Sequence, residues 1–233
     1  MPFWKRTFDI AFSLAAMPFL ALCAALMAIL HEIVSPGPVF FVQERVGYLG
    51  RRFKIYKFRT MTANADTKVH EAYFSQLVSS HAPMAKLDAK GDSRLIPGGW
   101  LLRASGFDEL PQLINVLRGD MSVVGPRPCL PSEFAEYLPE QRLRFNAAPG
   151  LTGLWQVSGK NRTTFEEMVR LDIEYGRTRS PWLDAKIIAL TLPVAALQIR
   201  DTRSARMPAP RPVGTLGGLR APSENEKGTI LPS

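Results

Sequence analysis

At 233 residues, with 46% hydrophobic and 21% charged side chains, the chain has the material for one well-packed domain, and wholesale disorder is excluded. A net charge of +8 and a pI near 9.8 favour a partner that carries phosphate: nucleic acid, an anionic membrane face or a phosphorylated substrate. Cys23 lies in an apolar run and Cys129 is the only other cysteine, which excludes a disulfide scaffold; the scattered histidines lack metal-ligand spacing, and no P-loop, dinucleotide fingerprint or nucleophile elbow is present.

Ile10 to Leu30 contains no charged residue, which is about the ~20 residues a membrane helix needs. Lys5 and Arg6 precede it and only Asp9 intrudes. A signal peptide has the same outline, but this run is long for one, no small-x-small cleavage site closes it, and strongly basic sequence follows. Pro18 stands at the middle of the run, where it kinks or breaks a helix. Two half-length helices that enter and leave one leaflet leave both basic flanks in the cytoplasm. Lys5 and Arg6 form one flank; Arg45, Arg51, Arg52, Lys54, Lys57 and Arg59 form the other. The positive-inside rule favours that arrangement, and a kinked but fully spanning helix is the alternative.

Ser35-Pro36-Gly37-Pro38 is a turn cluster, followed by a short strand over Val39–Val42 and then Gln43-Glu44-Arg45-Val46-Gly47. Arg51 to Met61 alternates with a period near two and predicts a half-buried strand. Its cations, Lys57 and Arg59 among them, suit headgroups or a phosphate ligand; a solvated basic face is the plainer reading. Asn64–Ser80 predicts a surface helix, His81–Pro97 a loop, and a second helix begins near Gly99 and carries Arg103.

The densest signal runs from Arg103 to Pro128. Asp108 and Glu109 precede Pro111, a good first-turn residue, so both acids lie near a helix N-terminus that stabilises the carboxylate form. A carboxylate of low pKa is a competent nucleophile toward phosphorus, and the second acid suits a divalent cation that bridges phosphate oxygens. A solvated capping pair is the reading that a bare Asp-Glu dipeptide would carry. Met121–Val124 predicts a short strand, and Gly125-Pro126-Arg127-Pro128 follows it. Two prolines fix the backbone around Arg127 and aim its guanidinium, so that Arg103 and Arg127 bracket a diphosphate next to Asp108.

Thr164 and Glu167 form a capping box for a helix to about Tyr175, with Gly176 as its stop and Phe165, Met168, Leu171 and Tyr175 as its apolar stripe. Asp172 lies off that stripe. Trp182–Ile199, interrupted by Pro193, predicts an interfacial helix with Trp182 near the headgroups, or else a core helix. From about Arg200 the sequence is rich in proline, glycine and arginine without apolar periodicity, which predicts a disordered basic tail. The expected organisation is a membrane helix over residues 1–34, a catalytic domain over 35–199 and a tail over 200–233. The expected fold is an α-rich α/β single compact domain with a re-entrant helix broken at Pro18 and interfacial amphipathic helices.

Five motifs stand in order: Lys57-Phe58-Arg59-Thr60-Met61, Asp108-Glu109-Leu110-Pro111-Gln112-Leu113, Gly119-Asp120-Met121-Ser122, Val124-Gly125-Pro126-Arg127-Pro128 and Pro149-Gly150-Leu151-Thr152-Gly153. Through them, from about Lys5 to Ile199, the chain resembles the bacterial sugar transferase family, the monotopic polyprenyl-phosphate phosphoglycosyl transferases, in their short form. The resemblance implies that Asp108 is the nucleophile on the β-phosphate of a UDP-sugar, expelling UMP and forming a phosphosugar ester. Glu109 then helps hold Mg²⁺, and undecaprenyl phosphate takes the sugar phosphate. It also implies a re-entrant helix broken at a Ser-Pro pair, for which Met17 stands here in place of the serine, and an acidic position matched by Asp172. The stretch from Gly150 to Asn161 is similar to members that start exopolysaccharides with glucose or galactose phosphate. Location at the cytoplasmic face of the bacterial inner membrane among its lipids follows, with no nucleic acid partner and a homodimer left open. Two rivals are a basic membrane-anchored scaffold or nucleic-acid-binding protein without catalysis, and a glycosyltransferase that releases UDP.

Overall fold

The structure, a computed structural model, describes residues 1–62, 92, 94–159 and 163–206. The expected helix at Asn64–Ser80 and most of the expected loop at His81–Pro97 lie outside the described residues.

The apolar front of the chain forms helix α1, Phe3–Val34. Its buried residues are Lys5, Asp9, Ser13, Leu20, Cys23, Met27 and His31, a stripe at helical spacing along one face. The opposite face exposes Phe3, Leu14, Leu22, Leu26, Ile29 and Ile33. In its N-terminal half the helix is therefore built inside out, with polar groups toward the protein and apolar groups outward. That is the polarity a lipid-facing helix requires. The expected division at Pro18 into two half-length helices is not what is seen, because α1 runs through Pro18 as one element. The buried stripe continues on both sides of the proline, so packing against one body holds the helix across the missing hydrogen bond.

Strand β1, Phe40–Val46, pairs antiparallel with β2, Arg52–Phe58, in the register Phe40↔Phe58 to Val46↔Arg52. Both are the strands expected, with β1 extended by four residues through the Gln-Glu-Arg-Val run. Helix α2, Gly99–Ser105, ends at Gly106 in a left-handed conformation. A 3₁₀ helix, Phe107–Gln112, carries the Asp-Glu pair and leads directly into α3, Leu113–Arg118. Strand β3, Ser122–Val124, and β4, Gly150–Thr152, form a parallel pair. Between them lies α4, Pro131–Glu136, and after them α5, Leu154–Val157.

Helix α6, Phe165–Thr178, carries the expected capping box: Glu167 N donates to Thr164 Oγ1 at 3.2 Å and Thr164 N to Glu167 Oε2 at 2.9 Å. It passes through Gly176 and stops at Arg179, because Pro181 two residues on prevents further winding. Helix α7, Pro181–Arg206, extends past the expected start of the tail; residues from 207 onward lie outside the described residues. Trp182 and Leu192 are 80% and 78% exposed on α7, which removes the core-helix reading. Both α1 and α7 are long and apolar enough to cross a membrane.

Packing joins these helices to the small sheets as one compact, helix-rich domain. Leu20, Cys23 and Met27 of α1 pack on Phe58 and Leu113. Val116, Met121, Val123, Val124, Tyr175 and Ile187 form a second cluster, and Val46, Tyr137, Phe145, Trp155, Phe165 and Met168 a third. Polar ties lock α1 in place. Lys5 Nζ meets Asp184 Oδ2 at 2.5 Å, Arg6 donates to the carbonyls of Val116 and Leu117, and Asp9 accepts from Ser122 Oγ and Val123 N.

Candidate active site

The antiparallel register places Arg45, Ile55 and Lys57 on one face of the β1–β2 hairpin, since paired residues and every second residue share a face. That face floors a cleft walled by Glu109 and Gln112 of the 3₁₀ helix, by Arg127 and Pro128, and by Gly150, Leu151 and Gln156. Lys57 Nζ donates to Glu109 Oε1 at 2.6 Å, in a half-buried pair. Three cations, Arg45, Lys57 and Arg127, thus face the cleft against one carboxylate, Glu109.

The Gly125–Pro128 loop is held from both sides. Gly125 N donates to Thr152 O at 2.8 Å, and Gly150 N donates to Pro126 O at 2.8 Å. A Cβ on Gly125 would lie 2.1 Å from Ala148 O, and one on Gly150 would lie 2.1 Å from Gly125 N, so the two backbones cross at a distance that only glycine permits. Beyond the loop, Val46 N donates to Cys129 O at 2.8 Å. Arg144 Nη2 donates to the Arg127 carbonyl at 3.1 Å and pairs with Asp172. Two prolines, two crossing glycines and a buried guanidinium therefore fix the backbone from which the Arg127 side chain projects.

The fold brings Lys57, Glu109 and Arg127 together on the cleft lining. Asp108 is buried (5% exposed) at the start of the 3₁₀ helix, beside Glu109 rather than on the cleft lining itself. Arg59 is used elsewhere: its Nε donates to Pro38 O at 2.7 Å, Nη1 to Ser35 Oγ at 2.9 Å and Nη2 to Ser35 O. His31 Nε2 bonds the Arg59 carbonyl at 2.8 Å, so Arg59 ties the end of α1 to the end of β2. Arg103 does not line the cleft; its charge, with Arg94 acting more strongly, helps hold the Asp92 carboxyl below its ordinary range. Asp172 lies on the buried face of α6, not off it, and serves Arg144 behind the loop. Burial pushes its carboxyl up to about 6, with the Arg144 guanidinium opposing.

Sequence reasoning missed Arg45, Gln112 and Gln156 on the lining, and Arg144 and Asn115 behind it. Asn115 is fully buried; it donates to Lys54 O at 2.7 Å and accepts from Tyr56 N at 3.2 Å, pinning the strand that carries Lys57. Period-two alternation held the signal for Arg45. Nothing local marked Arg144, whose partner is 28 residues away.

The profile of the family described as bacterial sugar transferase matches residues 1–198. The chain belongs to the bacterial sugar transferase family. Among similar members of this family, the exopolysaccharide production protein ExoY of Sinorhizobium fredii is 35% identical, over 83% of this chain and 85% of its own length. The UDP-glucose:undecaprenyl-phosphate glucose-1-phosphate transferase of Caulobacter vibrioides is 39% identical, over 81% of this chain and 68% of its own. The galactosyl transferase CpsE of Streptococcus agalactiae is 43% identical over 69% of this chain. The chain spans 35% of CpsE and 40% of the UDP-galactose-lipid carrier transferase of Erwinia amylovora.

A divalent cation fits the donor set. Among the described residues no group of three His, Cys, Asp or Glu side chains converges. Mg²⁺, however, is commonly held by one or two carboxylates with substrate phosphates completing its shell. Glu109 faces the cleft beside Asp108, and Arg45, Lys57 and Arg127 line the same cleft.

Proposed function

We propose that this bacterial sugar transferase moves a hexose 1-phosphate from a UDP-sugar to undecaprenyl phosphate and releases UMP, as a first membrane step of exopolysaccharide synthesis. The observation that carries this is the cleft in which Arg45, Lys57 and Arg127 face Glu109 beside Asp108. Its charge suits a diphosphate, and the names of the relatives point to the same donor and acceptor classes.

In this reading an Asp108 carboxylate oxygen attacks the β-phosphorus of the donor. The bond from that phosphorus to the bridging oxygen breaks, UMP leaves with the electron pair, and the sugar phosphate is held as an acyl phosphate ester on Asp108. A phosphate oxygen of the acceptor then attacks the same phosphorus, and the carboxylate is released. Arg127, on its rigid loop, and Arg45 hold donor oxygens in line. Lys57 exchanges Glu109 for phosphate, which frees Glu109 as a metal ligand. Mg²⁺ held by Glu109, with Asp108 adjacent, would neutralise charge on the diphosphate.

We place α1 in the cytoplasmic leaflet of the inner membrane, on the side where UDP-sugars are found, with its apolar face in lipid and its polar stripe against the domain. Supporting this, Arg6 near one end and His31 near the other both bond the same domain.

The test is nucleotide release by protein purified in detergent or nanodiscs, with undecaprenyl phosphate, Mg²⁺ and a panel of UDP-sugars. UMP is expected with one or a few sugars and is expected to vanish in Asp108→Asn. UDP in place of UMP would move the chain to simple sugar transfer. No nucleotide release with any donor would leave the scaffold reading standing.

A further inference from the structure

Buried polar groups are paired in about nine cases of ten, so those that are not, and that face a cleft, mark where a ligand is expected. Two such groups stand on the cleft lining. Arg45 is only 7% exposed, yet its guanidinium makes just two bonds, Nη2 to Gln43 Oε1 at 2.8 Å and Nη1 to Pro128 O at 3.4 Å, and its Nε has no partner. Gln156, on the short helix α5, also lines the cleft, and its Oε1 is buried and unpartnered.

Arg45 and Arg127 are near enough for their like charges to act on each other. Burial and then Arg127 pull the Arg45 guanidinium down to about 10. Two guanidiniums held against one cleft are unfavourable until an anion lies between them, and a phosphate accepts their planar forks pairwise. A neutral amide carbonyl makes the complementary demand: it needs a hydroxyl or imide N–H.

We infer that Arg45 and Gln156 are donor-recognition residues, Arg45 sharing one phosphate of a nucleoside diphosphate sugar with Arg127, and Gln156 accepting a hydrogen bond from a neutral donor group on the same molecule. This rests on the reading of the cleft as the donor site. The donor offers Gln156 two sources of that bond, a sugar hydroxyl or the uracil imide N–H. Arg45 lies on β1, which the hairpin register fixes, and Gln156 lies four residues beyond β4, so both positions are set by rigid elements and not by a loose loop.

The experiment compares wild type, Arg45→Lys and Gln156→Leu by UMP-release kinetics and by equilibrium binding of the UDP-sugar, UDP and UMP, with melting temperatures as the folding control. Each variant is expected to raise KM and Kd for the UDP-sugar about tenfold or more, with kcat altered less, because a lost hydrogen bond leaves a buried group unpaired. Arg45→Lys keeps the charge and loses only the fork, so it is also expected to weaken UDP. If Gln156→Leu weakens UMP as much as the UDP-sugar, the contact is to the base; if UMP binding is unchanged, the contact is to the sugar. Binding of all three ligands within twofold of wild type in both variants, at unchanged melting temperature, would overturn the inference while leaving the proposed function intact. A wild-type protein that binds no UDP-sugar would remove both. Should Arg45→Lys melt early, Gln156→Leu carries the test alone, since the Gln156 carbonyl bonds nothing in the folded chain.

Discussion

Asp172 and Arg144 show how far a charged side chain can act from the cleft it serves. Both are about 1% exposed, and their bond is reinforced by Arg144 Nη1 donating to the Tyr137 hydroxyl at 2.5 Å. Because the Asp172 carboxyl titrates near 6 against an ordinary 3.8, folding takes up a proton between those values. This group's contribution to stability is therefore full below about pH 4 and is lost as pH rises through about 6. Activity runs in the opposite sense: a protonated Asp172 leaves Arg144 without its counter-charge and slackens the bond to the Arg127 carbonyl. Transfer activity is expected to fall on an acid limb near pH 6 without a matching fall in melting temperature. The limb should be absent from the residual activity of Asp172→Asn, and a pH–rate series beside a pH–melting series checks both. The sequence showed an acid at this position but not its direction, since the stripe drawn from Phe165, Met168, Leu171 and Tyr175 left Asp172 outside. Arg59 was misjudged for a related reason. Composition shows that a guanidinium is present, and only the fold shows that Ser35 and Pro38 occupy it.

Among the elements, those with a local signature were legible. A short apolar run after a turn cluster marked the start of β1, alternation marked β2, and the capping box marked α6 to the residue at its start. The parallel β3–β4 contact was not legible, because its partners are separated by the whole of α4 and the segment that follows. Glycines at 125 and 150 were visible as motif letters, and their meaning comes only from the crossing. A Cβ at Gly125 has no room and no rotation can move it aside, because the obstruction is backbone, the Ala148 carbonyl. Gly125→Ala is accordingly expected to cost about 4 kcal/mol or more, at the extreme of single substitutions, and to abolish UMP release. Denaturant unfolding beside wild type measures it, and a loss under 1 kcal/mol would show that the crossing can open. The break expected at Pro18 failed for the opposite reason: local chemistry argued for two helices, and tertiary packing along α1 kept one.

For the whole molecule, the telling feature is a polar stripe hidden under an apolar helix. A soluble domain would turn Lys5, Asp9 and Ser13 outward and bury the phenylalanines; this chain does the reverse. Together with the exposed apolar side chains of α7, that leaves a broad surface unsuited to water. With both ends of α1 bonded to one domain, cysteine or reporter tags at residue 1 and after Arg206 are expected on the same, cytoplasmic side. An N-terminal tag found in the periplasm would sink the single-leaflet placement. The sequence supplied the apolar run and the basic flanks from which this topology was argued. The face of the helix that turns inward, however, depends on partners far along the chain.

That separation bears on the order in which the protein is made. Lys5 pairs with a residue 179 positions later, and Asp9 with one 114 positions later. When α1 leaves the ribosome, none of the groups that will satisfy its polar stripe has yet been synthesised. The helix must wait with an ammonium and a carboxylate unpaired, and the membrane boundary, where such groups can still reach water, is the place where waiting costs least. On the single-leaflet placement, insertion therefore precedes folding. The catalytic domain closes onto a helix already lodged in lipid, and α7, which brings Asp184, comes last to seal it.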